Sequence, residues 1–580
     1  MTAIQPKRWV IAPPIPEDLQ KELADYHLLM QQLLYNRGVV NADMAEVYVK
    51  SYGSLYDPFL LKDMHTAVER LHSALDKEES ITIYGDYDAD GVCATALMID
   101  FLSQCGAKVK SYTPDRFDEG YGLNNDAVRE IADDGTRLLI TVDCGIRSVN
   151  EIRLAQDLGM DVILTDHHLP GEELPPAVAI LAHRQEDDTY PEKVLCGAAI
   201  AYKLVEAYLS RYPVNGLQAR DWLDLVAVAT VADIVPLTGE NRALIKAGME
   251  EIHQEKRVGL SALIRAAGQD PTRLKASHIA FGVGPRINAA GRITSARNAI
   301  DLLLAKDPHS ASLFAQQLDD INNRRQEKTA AIQELAEEDI QIDDETADNN
   351  RWLIFTVSPE FHMGVVGLAA SRLTERYYRP AVAGAVGEHL TRASCRSIPE
   401  FHITLALDAC ADLFDESLGE RYGGHAAAAG FTISNDKLPL LQERLTVLAE
   451  QELAGKELIA EVPVDAAFNF SYLYRNKKYI YMLAQLLEPT GTDNPPVLFA
   501  SHNLRVVNAF QVGRDKTHLR VTLSDGFSSD TAIAFRLGHL KDELPTHVDI
   551  LFTLDENVYR GQTEYQIQVR EIRPHIATEA

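Results

Sequence analysis

The sequence predicts a multidomain α/β protein: a parallel-sheet domain, a second and smaller α/β domain, and a C-terminal antiparallel barrel. Three observations lead there. Between residues 80 and 185, short β-rich runs alternate with helical segments, a pattern that implies a mostly parallel sheet covered on both faces. A second α/β pattern begins at RWLIFTV and continues to residue 455. Beyond it, the runs HLRVTLSDG, TAIAFRLG, HVDILFTL and TEYQIQVREI alternate in polarity, as the strands of a small barrel do. A chain of 580 residues has room for two to four such domains.

The elements follow in order. Residues 10–75 read as short helices, with apolar residues at helical spacing in DLQKELADYHLLMQQLLYN and DMHTAVERLHSAL. ITIYG is a strand, and VCATALMIDFLSQCG an apolar-faced helix ending at Gly106. VKSYTP, RLLITVDCG, DVILTDHH and AVAILAH continue as strands; NNDAVREIADDG, with an Asn or Asp cap, and SVNEIRLAQDLGM lie between as helices. A largely helical stretch extends to residue 335. The segment Glu334 to Asn350 holds eight acids and no base, and is expected to be a solvated helix end and linker. In TEYQIQVR, Tyr565, Ile567 and Val569 are expected to face one way and Gln566, Gln568 and Arg570 the other.

No apolar run is long enough to span a bilayer, and the start, MTAIQPKRWVIAPP, lacks the apolar core of a signal peptide. Six cysteines form no CxxC pair, so reduced thiols in a cytoplasm are expected. Fifty-six basic against eighty-five acidic residues leaves a net charge of −29, which on average opposes nucleic-acid binding. Locally the balance differs. From Pro271 to Asn298 there are five basic residues (Arg273, Lys275, Arg286, Arg292, Arg297) and no acid.

Acids and imidazoles cluster at strand ends. ITIYG runs into Asp86, Asp88 and Asp90, LLITV into Asp143, and VILT into Asp166, His167 and His168. In an open parallel sheet, residues just past the strand ends converge on one crevice. So many carboxylates together call for a positive partner, and a divalent cation is the simplest. The donor types suit Mn²⁺ or Mg²⁺ better than structural zinc. Asp143, alone at its strand end, is placed to bridge two ions about 3.5–4 Å apart. Asp233 ends an apolar helix where another aliphatic residue would be expected. A calcium loop at GDYDADG is disfavoured because Leu97 stands where the twelfth-position Glu belongs.

Together GDYDADG, VDCG, TDHH and VADIVPL resemble the four motifs of the DHH phosphoesterase family. YTPDRFDEGYGL, GPRINAAGRI, FHMGVVGLAASRLTERYYRP and GGHAAAAGFT resemble its RecJ branch, single-strand-specific 5′→3′ exonucleases. The resemblance implies an N-terminal helical extension (1–45), a DHH domain (46–330), a helix end and acidic linker (331–350), a DHHA1 domain (351–455) and an OB-fold (456–580). It implies two divalent ions, Mn²⁺ preferred or Mg²⁺, held by Asp88, Asp90, Asp143, His167 and Asp233, with Asp86 either a ligand or behind the ligands. His168 is expected as a phosphate contact or an acid/base group, and Arg116, Arg286, Arg292, Ser394 and Arg396 as the holders of the 5′ end. A guanidinium binds phosphate in a fork that lysine does not reproduce. His425 lies in GGHAAAAG, where small residues let substrate approach the backbone.

On the barrel, Arg505, Arg514, Lys516 and Arg520 with Tyr472, Tyr474, Tyr479, Phe499 and Phe510 offer a path for a strand. Of these aromatics, Phe499 and Phe510 suit the barrel core better than the tyrosines do. Three departures from the family pattern stand out. An expected Asn-Pro reads Ala182-His183-Arg184, Ser-Gly-Arg-Ser reads Ser394-Cys395-Arg396-Ser397, and the start of the OB-fold reads Pro489-Thr490-Gly491-Thr492-Asp493-Asn494. The last adds an acid beside the expected strand-binding face, and the second puts a tight glycine turn in doubt.

The expected activity is hydrolysis of single-stranded DNA from the 5′ end to 5′-mononucleotides, in repair and recombination. Alternatives are a phosphodiesterase of dinucleotides or short oligonucleotides, and a non-catalytic DNA-binding replication factor. The expected partners are single-stranded DNA, a single-strand-binding protein and a helicase, with the chain a cytoplasmic monomer that does not touch membranes.

Overall fold

Strand runs that are apolar at nearly every position need cover on both faces, and the first sheet meets that need. In the computed structural model, which describes residues 7–50, 55–115, 119, 122–339, 352–559 and 562–576, five parallel strands form it. They are β1 (Ser80–Gly85), β2 (Lys108–Tyr112), β3 (Leu138–Val142), β4 (Asp161–Thr165) and β5 (Ala179–Leu181), ordered β2-β1-β3-β4-β5. Every residue of β3 is buried, as a doubly covered strand requires. Three helices concern the site: α1 (Ala89–Gln104), α2 (Gly197–Arg211) and α3 (Leu223–Ala232). The capping expected at NNDAVREIADDG is made by Asn124, whose side chain accepts from the Ala127 N–H at 2.8 Å.

The chain divides into two compact units. One is built from Trp9–Ile287, Ala299–Ala315 and Pro463–Ala580, the other mainly from Asn288–Asn298 and Gln316–Val462. The second unit carries a mixed sheet of β6 (Ile354–Ser358), β7 (Ala381–Val386), β8 (Leu390–Arg396), β9 (Arg421–His425) and β10 (Ala428–Ser434), ordered β9-β10-β8-β7-β6. Only β6 and β7 pair in parallel. The acidic stretch is helical to Asp339, the end of the helix Pro308–Asp339, and its remainder lies outside the described residues.

The C-terminal barrel comprises β11 (Phe499–Val512), β12 (His518–Ser524), β13 (Ser529–Ala534), β14 (His547–Tyr559) and β15 (Gln562–Pro574). It closes through β11 against β14, and one pairing, β13 with β15, is parallel where alternation alone suggests antiparallel strands throughout. Ile567 and Val569 are buried and Arg570 exposed, as the alternation of TEYQIQVR requires. A helix, α4 (Phe470–Gln485), precedes the barrel strands and carries Tyr472, Tyr474 and Tyr479, all exposed. The N-terminal helices share the barrel's core: Leu23, Met30, Leu33 and Leu34 are buried in one cluster with Phe499, Val521, Ile550 and Ile567. Among the described residues, no helix is long and apolar enough to cross a membrane.

Candidate active site

Register alone builds the row of acids. Parallel pairing aligns Gly85 with Val142, Val142 with Thr165, and Thr165 with Leu181. The next residues on the first three of those strands are Asp86, Asp143 and Asp166, so three carboxylates line one sheet edge. The strand order reverses direction between β1 and β3, and a crevice opens at such a switch point. Asp86 and Asp143 stand on its two sides.

Local structure then aims each group. Asp88 caps α1: its Oδ1 accepts the N–H groups of Asp90 (2.9 Å) and Gly91 (3.1 Å). Asp90, in the first turn of α1, reaches the start of α2, where its carboxylate accepts the N–H groups of Gly197 (2.6 Å) and Ala198 (2.8 Å). A negative charge is stabilised at that positive helix end. Asp143 leaves β3 with φ of 60°, a left-handed conformation that Asp tolerates better than most residues. His167 points Nε2 into the cluster, 3.2 Å from Asp143 Oδ1, 3.8 Å from Asp233 Oδ2 and 4.0 Å from Asp90 Oδ2. Asp166 turns the other way. Its Oδ2 accepts the Ile146 N–H at 2.9 Å, and its Oδ1 pairs with His168 Nδ1 at 2.7 Å.

Asp233 follows α3 and is followed by Ile234, whose φ of 60° is a true outlier for a β-branched side chain. Such a conformation costs about 1–3 kcal/mol. The turn is pinned on both sides. Asp233 N–H donates to Ala229 O (2.9 Å), Asn241 Nδ2 to Pro236 O (3.0 Å), and Leu237 N–H to Thr492 O (2.8 Å).

Burial and mutual repulsion set the charge states. Burial first, then Asp90, pushes the Asp143 carboxyl well above its usual range. Burial, then Asp88, raises Asp90 to about 7, and burial, then Asp90, raises Asp233 to about 9. Burial holds His167 down to about 3, so its ring is neutral and able to ligate. For Asp166 burial acts upward most strongly, but the bond and charge of His168 with the N–H groups of Ile146 and His168 together hold the carboxyl low. For His168 burial acts downward most strongly, yet the bond to Asp166 and the charges of Asp166, Asp90 and Asp86 together carry the pKa above the ordinary value. The cluster is short of positive charge. Three sets of donors have ligand atoms within 4.8 Å of one another: Asp86, Asp88 and Asp143; Asp90, His167 and Asp233; and Asp143, His167 and His168. Asp143 joins the first set to the third.

The remaining expected contacts fall in several places. Arg116 lies outside the described residues. Arg286 belongs to the helix Gly284–Ile293 and donates to Gly282 O at 2.8 Å. That helix begins beside the site, since a Cβ on Gly284 would lie 3.0 Å from Ala232 Cβ. In the other compact unit, Arg292 Nη1 donates to Gly364 O at 3.4 Å. Ser394 and Arg396 share one face of β8, toward the start of the helix Val366–Tyr377: a Cβ on Gly367 would lie 3.3 Å from Ser394 Oγ and 3.5 Å from Arg396 Nη2. Cys395 points into the core from the opposite face of a regular strand, so no glycine turn is needed there. His425 is exposed at the end of β9.

On the barrel Arg505, Arg514 and Lys516 are exposed, and Phe499 is core. Phe510 is not core: it is 55% exposed on the outer face, beside Arg520 in register, because the strand's alternation turns it outward. The Pro489–Asn494 segment packs against the N-terminal helices and Arg242, and its acid, Asp493, is exposed. Asn494 is buried against Arg37 and Tyr48, and Arg242 donates to the carbonyls of Leu486, Leu487, Glu488 and Pro489. His183 is fully buried, and burial takes its imidazole down to about 4. Two contributors had no side-chain signal in the sequence, the backbone N–H groups of Gly197 and Ala198; only the glycine that opens CGAAIAYKLV hinted at them.

A switch-point crevice lined with carboxylates and imidazole, ahead of a mixed-sheet unit and an OB barrel, defines a phosphoesterase of the DHH class. The profile of the DHH family, N-terminal domain, matches residues 80–230, the DHHA1 domain residues 349–451, and the RecJ OB domain residues 464–571. The chain is 34% identical to the single-stranded-DNA-specific exonuclease RecJ of Bacillus subtilis (strain 168), over 97% of this chain and 70% of that one. It is 34% identical to the Escherichia coli (strain K12) protein of the same name, over 96% of this chain and 97% of that one. The crystal structure of RecJ from Thermus thermophilus in complex with Mn²⁺ superposes with a TM-score of 0.81 at 31% identity, covering 99% of this chain and 80% of that chain. The chain belongs to the RecJ family of single-stranded-DNA-specific exonucleases.

Proposed function

We propose that this chain hydrolyses single-stranded DNA from the 5′ end to 5′-mononucleotides, with two Mn²⁺ or Mg²⁺ ions as cofactor. The observation that carries the reading is Asp143, buried and joined to donor sets on either side. The donors fit such ions: they are carboxylates and imidazole without thiolate, and their raised carboxyl pKa values mark a site in need of cations. Asp86, Asp88 and Asp143 would hold one ion, and Asp90, Asp143, His167 and Asp233 the other. When bound, the pair supplies an activated water and stabilises both oxygens of an in-line displacement.

The chain's own residues do the rest. The start of α2 fixes Asp90 through two N–H donors, which sets the ligand geometry before substrate arrives. Asp166 holds His168 by Nδ1 and so orients its ring, which would donate to a phosphate oxygen or hand a proton to the leaving group. Ser394 and Arg396 at a helix start, with Arg292, suit a terminal 5′-phosphate, and Arg286 a phosphate further along. Arg116 and His425 join them by motif alone. Phe510 and Arg520, with Arg505, Arg514 and Lys516, offer stacking and charge to the following nucleotides.

The 5′ polarity, the role in repair and recombination, the partnership with a single-strand-binding protein and a helicase, the monomeric state and the cytoplasmic location are inferred from the family. So is the division of the chain near residues 45, 330, 350 and 455. The test is Asp143→Ala assayed with Mn²⁺ on 5′-phosphorylated single strands labelled separately at each end. Loss of digestion in the variant, with label released from the 5′ end first by the wild type, supports the reading. Undiminished activity in the variant refutes the site, and release from the 3′ end refutes the polarity.

A further inference from the structure

We propose that Ile234 is a substrate contact, packing against a nucleobase that flanks the scissile phosphate. The inference rests on the exonuclease reading above. Position comes first. Ile234 directly follows Asp233, whose carboxylate lies 3.8 Å from His167 Nε2, so its backbone adjoins the acidic cluster.

Conformation and exposure conflict with folding. The backbone is held at φ of 60°, where a β-branched residue is strained, and the side chain is 72% exposed. Its aliphatic neighbours Val231, Val235 and Leu237 are 6%, 9% and 2% exposed. A single exposed aliphatic residue needs no explanation, but an exposed one on a strained backbone gains nothing from burial to offset that strain. Glycine or asparagine would take the same backbone more easily.

Isoleucine adds a stiff apolar surface, because branching at Cβ restricts χ1. The turn beneath it is pinned through Asp233, Pro236 and Leu237, so that surface is held in place. The matching chemistry in a nucleotide is the face of the base, since acids and cations account for the phosphate. Every base offers such a face, so the contact tolerates any sequence.

The experiment compares the wild type with Ile234→Gly, Ile234→Asn and Ile234→Leu on 5′-phosphorylated strands. The strands carry a base or an abasic site at the first or the second nucleotide. Mn²⁺ affinity by calorimetry and thermal melting accompany the kinetics. The Gly and Asn variants should lose about tenfold in kcat/KM on base-bearing strands, largely in KM. The ratio between base-bearing and abasic strands should shrink at one of the two positions. Ile234→Leu should retain most of the rate, Mn²⁺ affinity should hold, and the Gly and Asn variants should melt no lower than the wild type.

Full rate in the Gly and Asn variants would overturn the contact. So would an equal loss on base-bearing and abasic strands at both positions, or a parallel fall in Mn²⁺ affinity, which would mean that Ile234 acts only through Asp233. A wild type that degrades no single strand would instead overturn the exonuclease reading, and this contact with it.

Discussion

Gly197→Ala adds one methyl group at a crowded point of the site. The new Cβ would lie 2.6 Å from Asp143 Cβ and 2.7 Å from Asp143 Oδ1. Carbon atoms in contact sit about 3.5–4.0 Å apart, so roughly 1 Å of movement is required. Neither side yields freely. Asp143 is tied to Thr165 O through its N–H at 3.0 Å and lies 3.2 Å from His167 Nε2. If α2 moves instead, the 2.6 Å bond from Gly197 N–H to Asp90 stretches beyond hydrogen-bond reach. Either way one of the cluster's carboxylates is displaced by about 1 Å, and displacement on that scale costs about 100-fold in rate. The assay is kcat/KM on 5′-phosphorylated single strands with Mn²⁺, alongside calorimetric Mn²⁺ affinity and far-UV circular dichroism to verify the fold. A folded variant within about threefold of wild type would refute the reasoning, because it would separate the cluster from the chemistry.

Other outcomes follow from the same structure. Asp90 near 7 and Asp233 near 9 lie above the carboxyl range of an unfolded chain, so the metal-free native state binds more protons than the unfolded one. Between pH 7 and 9, where His167 is neutral in both states, chelated protein should lose stability as pH rises, by about 1.4 kcal/mol per pH unit per proton. Mn²⁺ should abolish or reverse that slope in thermal melts; an unchanged slope would sever the carboxylates from the ion. Arg242→Met removes the guanidinium that serves four carbonyls of residues 486–489 and lies 4.2 Å over the Tyr48 ring. It should destabilise by about 3 kcal/mol or more in denaturant unfolding, as several buried acceptors lose their donor. Phe510→Ala with Arg520→Ala should weaken binding of long strands and flatten its salt dependence while sparing oligonucleotides of a few residues. Equal effects on both lengths would favour a small-substrate phosphodiesterase. These surface changes are better probes than removal of residues 460–580, which would strip the core from the N-terminal helices.

Much of the site was legible because it follows from short-range rules. Strand runs ending in acids put Asp86, Asp143 and Asp166 in one row as soon as the strands pair in parallel, and the motif DYDADG caps its own helix through Asp88. Phe510 departs from the core position that its hydrophobicity suggests, because its place in the strand's alternation faces it outward beside Arg520. The anchoring of the Pro489–Asn494 segment is not legible in its own residues because it depends on Arg242, more than 240 residues away in sequence.

By itself the sequence determined the parallel sheet, the barrel and the order of acids and histidines at the strand ends. Those depend on periodicity and on residues adjacent in the chain. Only the tertiary structure decided that Asp166 orients His168, that α2 supplies Asp90 with its N–H donors, that the N-terminal helices complete the barrel's core, and that Ile234 stands strained and exposed beside Asp233. Even where the residues are neighbours, distant segments hold them: Ile146 N–H fixes Asp166, and Thr492 O pins the turn at Ile234. Such approaches are set by how whole elements pack, which no local pattern encodes.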